Sequence, residues 1–142
     1  MDKEIIDDIR RFNRFYATVI GMLDSKISNT EYSITEARVL FEIREKNGEY
    51  IANDLVAKLN IDRSYMSRIL RKLKKDELIE KTRSLNDSRK NSLSITDDGI
   101  KVLEHVNDST DAQILKLFNG LTKDEVLEIR DDMYKIQQYL DK

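Results

Sequence analysis

The hydrophobic positions fall in stripes that change period along the chain. Ile5, Ile9, Phe12, Tyr16, Val19/Ile20, Leu23 and Ile27 recur at steps of three and four, which predicts one long amphipathic helix. Ser28-Asn29-Thr30 interrupts it. Ser33 with Glu36 three residues on forms a capping-box pattern for a second helix, with Ala37, Leu40, Phe41 and Ile43 inward and Asn47-Gly48 at its end. Two short helices follow. Ile51, Leu55, Val56 and Leu59 make the inner face of the first, Asn60-Ile61 the turn, and Asp62 the cap of the second. Met66, Ile69, Leu70 and Leu73 line that second helix on one side. Its other side then presents Arg63, Ser64, Tyr65, Ser67, Arg68, Arg71 and Lys72.

Past Leu78/Ile79 the helical period stops. Leu93 and Ile95 alternate, and Asn86-Asp87-Ser88 lies between the two segments with turn chemistry, so a hairpin is predicted. Thr96 is placed as the cap of another helix, with Gly99 in its first turn. That helix runs through Val102/Leu103, Val106, Thr110, Ile114 and Leu117/Phe118 to Asn119-Gly120. Thr122 and Glu125 repeat the capping-box pattern before Val126, Ile129, Met133, Ile136 and Leu140, a stripe suited to a partner helix.

The expected fold is therefore mostly α with a small β-hairpin: a winged helix-turn-helix flanked by long N- and C-terminal dimerisation helices. Residues 1–30 are assigned to the N-terminal dimerisation helix, 31–99 to the winged helix-turn-helix DNA-binding domain and 100–142 to the C-terminal dimerisation helices. Three long stripes exceed what the small winged middle covers, so a symmetric homodimer is expected.

Charge sharpens this picture. Between Asp62 and Lys90 ten Lys or Arg stand against five Asp or Glu, a local +5; the whole chain carries −2, so the remainder carries −7. Such segregation concentrates positive potential on one surface and points to double-stranded DNA as partner. No apolar run reaches the roughly 20 residues of a membrane span, and acidic Asp2, Glu4, Asp7 and Asp8 replace the basic start of a signal peptide. A cytoplasmic protein without membrane association is expected. The chain has no Cys and one His, which argues against thiol chemistry and against a zinc site. No Gly-rich phosphate loop, nucleophile elbow or Cys-His pairing occurs, so no enzyme, catalytic residue, metal site or cofactor is expected.

The ordered motifs Ser33-Ile-Thr-Glu-Ala-Arg-Val-Leu40, Leu59-Asn-Ile-Asp-Arg-Ser-Tyr-Met-Ser-Arg-Ile-Leu70, Asp87-Ser-Arg89, Leu93-Ser-Ile-Thr96 and Gly99 resemble the MarR family of bacterial transcription regulators. Ile9-Arg-Arg-Phe-Asn-Arg-Phe-Tyr16 and Ile20-Gly-Met-Leu-Asp24 resemble a branch often fused to a C-terminal acetyltransferase; the chain ends at Lys142, so that domain is not expected. The resemblance implies a sequence-specific regulator. It would be a repressor on a pseudo-palindromic operator, released by a small-molecule effector. A winged-helix protein-interaction module without DNA binding is the alternative.

For the DNA contacts, Arg63, Ser64, Tyr65, Ser67 and Arg68 are the candidates for reading bases or fixing register. Tyr65 is open to a thymine methyl, a phosphate or packing against the wing. Asn53, Arg71, Lys72 and Arg83 are read as phosphate contacts or solvated surface. The resemblance implies that Arg89 enters the minor groove while Asp87 pairs with an Arg to shape the wing. It also implies an effector cleft beside the winged unit, for which Phe12, Tyr16, Tyr32, Arg38 and His105 are the candidate lining, with Phe15, Val19 and Arg14 near them. One departure stands out. Glu77 occupies a position commonly Gly in the family, which would be strained if the backbone there is left-handed.

Overall fold

A computed structural model describes residues 1–25, 30–83 and 91–141, and the side chains among them except those of residues 23–25 and 83. The elements run α1 (Lys3–Ser25), α2 (Ile34–Glu45), α3 (Ala52–Leu59), α4 (Arg63–Lys75), β1 (Ile79–Arg83), β2 (Asn91–Ile95), α5 (Asp97–Leu117) and α6 (Lys123–Leu140). They divide into two compact units, Met1–Thr110 and Asp111–Lys142. Among the described residues no helix is long and apolar enough to cross a membrane.

The core lies in the first unit. Val39, Leu40 and Ile43 of α2, Leu55 of α3, Met66, Ile69, Leu70 and Leu73 of α4, Leu78, Ile79, Leu93 and Leu103 form one buried cluster. Their stripes are those that the periodicity marks, with one exception. Phe41, expected inward, is exposed at the surface, and the Arg44 guanidinium sits 5.3 Å from its ring centroid. The inward positions of α2 are instead filled by Ala37, Val39, Leu40 and Ile43.

Polar side chains set the helix starts. Ser33 Oγ accepts from the Glu36 N–H at 3.1 Å, and Glu36 Oε1 accepts from the Ser33 N–H at 2.9 Å. Thr122 and Glu125 repeat both bonds at the start of α6. These backbone and side-chain donors hold the Glu125 carboxyl below its usual range. In α3 the pattern is half made: Asp54 Oδ2 accepts from the Ile51 N–H at 2.8 Å, but Ile51 has no side-chain oxygen, and the Asp54 N–H donates instead to the Ile51 carbonyl at 3.0 Å.

β1 and β2 pair antiparallel from Ile79↔Ile95 to Arg83↔Asn91. The turn expected at Asn86-Asp87-Ser88 lies outside the described residues. A third segment joins the hairpin that the periodicity did not disclose. Gly48 N–H donates to the Leu93 carbonyl at 2.9 Å, and Leu93 N–H donates to the Tyr50 carbonyl at 2.7 Å. Asn47 Oδ1 accepts from the Ile95 N–H at 2.8 Å. The linker between α2 and α3 thus docks along β2 and holds the hairpin against the helices.

The end of α4 is a Schellman motif. Leu78 N–H reaches the Leu73 carbonyl at 2.9 Å and Glu77 N–H the Lys74 carbonyl at 3.0 Å. Glu77 takes φ 61 to make this turn, so the left-handed position is real and is occupied by a residue with a Cβ. Glu77→Gly should therefore stabilise the chain by about 0.5 kcal/mol: relief of roughly 1 kcal/mol of strain is partly offset by the greater freedom of Gly in the unfolded chain. Urea denaturation checks the sign, and a destabilised variant would contradict it.

Candidate nucleic-acid interface

The candidate interface is built on α4. Asp62 Oδ2 accepts from the N–H groups of Ser64 at 3.0 Å and Tyr65 at 3.2 Å. This satisfies two of the unpaired donors at the helix start. With Met66, Ile69, Leu70 and Leu73 buried, the remaining positions must face outward. Arg63, Ser64, Tyr65, Ser67, Arg68 and Arg71 are all exposed. The structure thus brings together six of the predicted DNA contacts on one helix face.

That face has two edges. Along one, Arg63, Ser67, Arg71 and Lys74 line a cavity of about 340 Å³ shared with Ala52, Asn53 and Val56 of α3 and Lys81 of β1, with Met66 and Leu70 also lining it. Four cations edge it, and Arg63, Arg71, Lys74 and Lys81 make no ion pair to a described residue. Along the other edge stand Tyr65 and Arg68, with the Arg68 guanidinium carbon 5.5 Å from the Tyr65 ring centroid. Lys74 and Lys81 were not singled out from the sequence; the signal was present in the local excess of +5, but only folding shows which lysines border the cavity.

Arg83 ends β1 opposite Asn91; its side chain lies outside the described set, as do Asp87 and Arg89 entirely.

Lys72 stands apart from the other α4 cations. Its Nζ donates to the Glu31 carbonyl at 2.9 Å and to Glu36 Oε1 at 3.1 Å, and lies 4.9 Å from the Tyr32 ring centroid. The Tyr32 hydroxyl donates to Asp76 Oδ2 at 2.7 Å. Lys72 and Asp76 therefore tie the second half of α4 to the start of α2. Burial and the hydrogen bond to Asp76 push the Tyr32 phenol above its ordinary range.

A proton held more tightly in the folded state has a definite consequence. The Tyr32 contribution to stability is whole below the ordinary phenol pKa of about 10 and is lost as pH rises through the folded-state value. Subtracting the alkaline tyrosinate absorbance titration of Tyr32→Phe from that of the unaltered protein should leave a curve centred above 10. A difference curve centred at the ordinary value would contradict the Tyr32–Asp76 bond.

The candidate effector residues are spread over three places. Tyr32 and His105 line a shallow depression of about 390 Å³ with Thr30, Glu31, Lys101 and Val102. Arg38 lines a different groove of about 400 Å³ between α2 and α5, beside Phe41, Leu103 and Val106. Phe12 and Tyr16 stack on each other along α1, with ring centroids 5.7 Å apart.

A helix pair, a capped and cation-faced second helix and a two-stranded wing define a winged helix-turn-helix protein. Residues 32–90 match the model of the MarR family. Over 101 residues, 68% of this chain and 68% of the relative, the sequence is 29% identical to the HTH-type transcriptional regulator BilQ of Clostridioides difficile. A MarR family protein from Bacillus stearothermophilus shares the fold with a TM-score of 0.83 at 12% identity, over 100% of this chain and 99% of that one. The MepR of S. aureus, solved as a MepR–DNA complex, is similar with a TM-score of 0.66 at 22% identity, over 91% and 93% of the two chains. Over residues 32–90 the chain is thus similar to the MarR family of transcriptional regulators, and it shares the fold of solved MarR-family proteins.

Proposed function

We propose that this chain is a sequence-specific double-stranded DNA-binding repressor that grips a pseudo-palindromic operator as a homodimer and is released by a small-molecule effector. The observation that carries this reading is the outward face of α4. Arg63, Arg68 and Arg71 are exposed there beside Ser64, Tyr65 and Ser67, and Lys74 and Lys81 border the adjoining cavity. Cations at that density attract a polyanion, and exposed Ser, Tyr and Arg on the same helix supply the donors that tell base pairs apart. The wing residues Arg83, Asp87 and Arg89 complete the contact in this reading, with Arg89 in the minor groove, where a narrow A/T-rich groove deepens the negative potential.

The dimer is supported by exposed apolar side chains: Ile5, Ile9 and Phe12 on α1, and Met133, Ile136 and Leu140 on α6. A two-fold dimer sets two copies of α4 on half-sites about one helical turn apart. An effector acts by preferring one arrangement of those two helices, since equal affinity for both would shift nothing. Tyr32 and His105 in one depression and Arg38 in another offer it places to bind, with Phe12 and Tyr16 as the aromatic residues of α1.

Selection from randomised duplex DNA at near-physiological salt tests the reading. An enriched inverted repeat is expected. Weak, salt-sensitive binding with no enriched sequence would overturn it in favour of a protein-interaction module.

A further inference from the structure

We propose that Tyr65 and Arg68 form one reading unit, in which the tyrosine ring holds the guanidinium of Arg68 for a single guanine in each half-site. Arg68 then determines the guanine preference, and Tyr65 is its positioning residue. This inference rests on the duplex-DNA reading above and goes further by assigning one base to one side chain.

The geometry separates this pair from the other cations. The two residues stand three apart on α4 and so share a face. The Arg68 guanidinium carbon lies 5.5 Å from the Tyr65 ring centroid, within the roughly 6 Å over which a ring attracts a cation. The Tyr65 backbone is fixed in the first turn of the helix, where its N–H donates to Asp62 Oδ2 at 3.2 Å. Tyr65 is 40% exposed and Arg68 is exposed too, so the pair lies at the surface. Arg63, Arg71, Lys74 and Lys81 are arranged differently, spaced around one concave surface. A row of cations about a groove suits a phosphate backbone, which is a line of point charges. A planar guanidinium held on a ring suits a base edge.

Guanine is the base that fits. It presents two acceptors, O6 and N7, on its major-groove edge, and the guanidinium fork matches them with two parallel donors. A ring beneath the guanidinium limits the plane in which that fork lies, so less freedom is lost when the bonds form. Lysine at this place would keep the charge and lose the fork.

The test uses the full chain and four forms: unaltered, Arg68→Lys, Tyr65→Phe and Tyr65→Leu. Each is selected against randomised duplex DNA. Each is then titrated with the sequence selected by the unaltered protein, with a copy carrying 7-deazaguanine at the assigned position, and with an unrelated duplex. The expected result is that Arg68→Lys loses the preference for one guanine per half-site and about tenfold in affinity for the selected duplex. Its salt dependence stays the same because the charge count is unchanged. Tyr65→Phe keeps the preference. Tyr65→Leu weakens it severalfold without altering affinity for the unrelated duplex, which a merely misfolded helix would not do. The deaza substitution costs the unaltered protein a similar factor and leaves Arg68→Lys indifferent. If Arg68→Lys selects the same sequence with the same affinity, the reading unit is overturned while the DNA reading survives. If the unaltered protein enriches no sequence, both fall.

Discussion

Gly99→Ala lowers the stability of the chain by about 3 kcal/mol, at the upper end of what overpacking costs. On helix propensity alone the sign would be the opposite, since Ala in a helix interior is favoured over Gly by roughly 1 kcal/mol. The reversal comes from what surrounds the site. A Cβ on Gly99 would meet the Leu78 carbonyl oxygen, and would lie 2.7 Å from Ile95 Cγ1 and 3.2 Å from the Leu78 carbonyl carbon. Neither backbone atom can swing aside as a side chain does. Leu78 O already accepts from the Thr96 N–H at 3.0 Å. The Thr96 hydroxyl donates to the Glu77 carbonyl at 2.7 Å and accepts from the Gly99 N–H at 3.1 Å. Making room would open the junction where α4 ends, α5 begins and the first rung of the hairpin, Ile79↔Ile95, is set. Gly21 supplies the control: an added Cβ there meets nothing within 4 Å, so Gly21→Ala should gain about 1 kcal/mol. Urea denaturation of the two variants separates packing from propensity. A Gly99→Ala protein no less stable than the unaltered one would show that the close approach of α5 to Leu78 is not as described.

The same junction shows what a linear reading of the chain can and cannot reach. Local chemistry was legible. The capping boxes at Ser33/Glu36 and Thr122/Glu125, the cap at Asp62 and the bond from Thr96 to Gly99 all form as their spacing predicts. Each depends on partners two or three residues apart. The buried stripe of α4 was legible for the same reason, and with it the exposed face that carries Arg63 to Arg71. What escaped the sequence depends on partners far along the chain. The bonding of Gly48 and Tyr50 to Leu93 spans more than forty residues, and nothing in the composition of 47–50 announces it. Lys72 was indistinguishable from Arg71 as a cation until its ammonium was seen bound to Glu31 and Glu36. The separation of Tyr32 and His105 from Arg38 in the single chain has a related reason. Helical spacing fixes which face each occupies, but the helix opposite that face is decided by packing.

Ile136→Glu should convert the dimer proposed here into a monomer and cut affinity for the full operator by about a hundredfold or more. The residue is 47% exposed in the single chain and lies on α6 among the exposed Met133 and Leu140, so a carboxylate there costs the folded protomer little. In a dimer whose seam includes this stripe the same carboxylate is buried without a partner. An unpaired buried charge costs about 3–5 kcal/mol, which raises the dissociation constant more than a hundredfold at tenfold per 1.4 kcal/mol. The effect on DNA follows by linkage. Two reading helices on one rigid body gain a factor of about 100 to 10,000 over either alone when their spacing matches the half-sites. The monomer keeps its unaltered α4 and should bind a single half-site as well as before. Ile9→Glu, at a position 49% exposed on α1, applies the same test to the other stripe. Sedimentation gives the oligomeric state, and titration of full and half-sites gives the affinities. Loss of the full-site advantage with half-site binding preserved separates a broken dimer from a damaged reading head. A variant that stays dimeric and holds the full operator unchanged would remove α6 from the interface and leave its apolar stripe to a different partner.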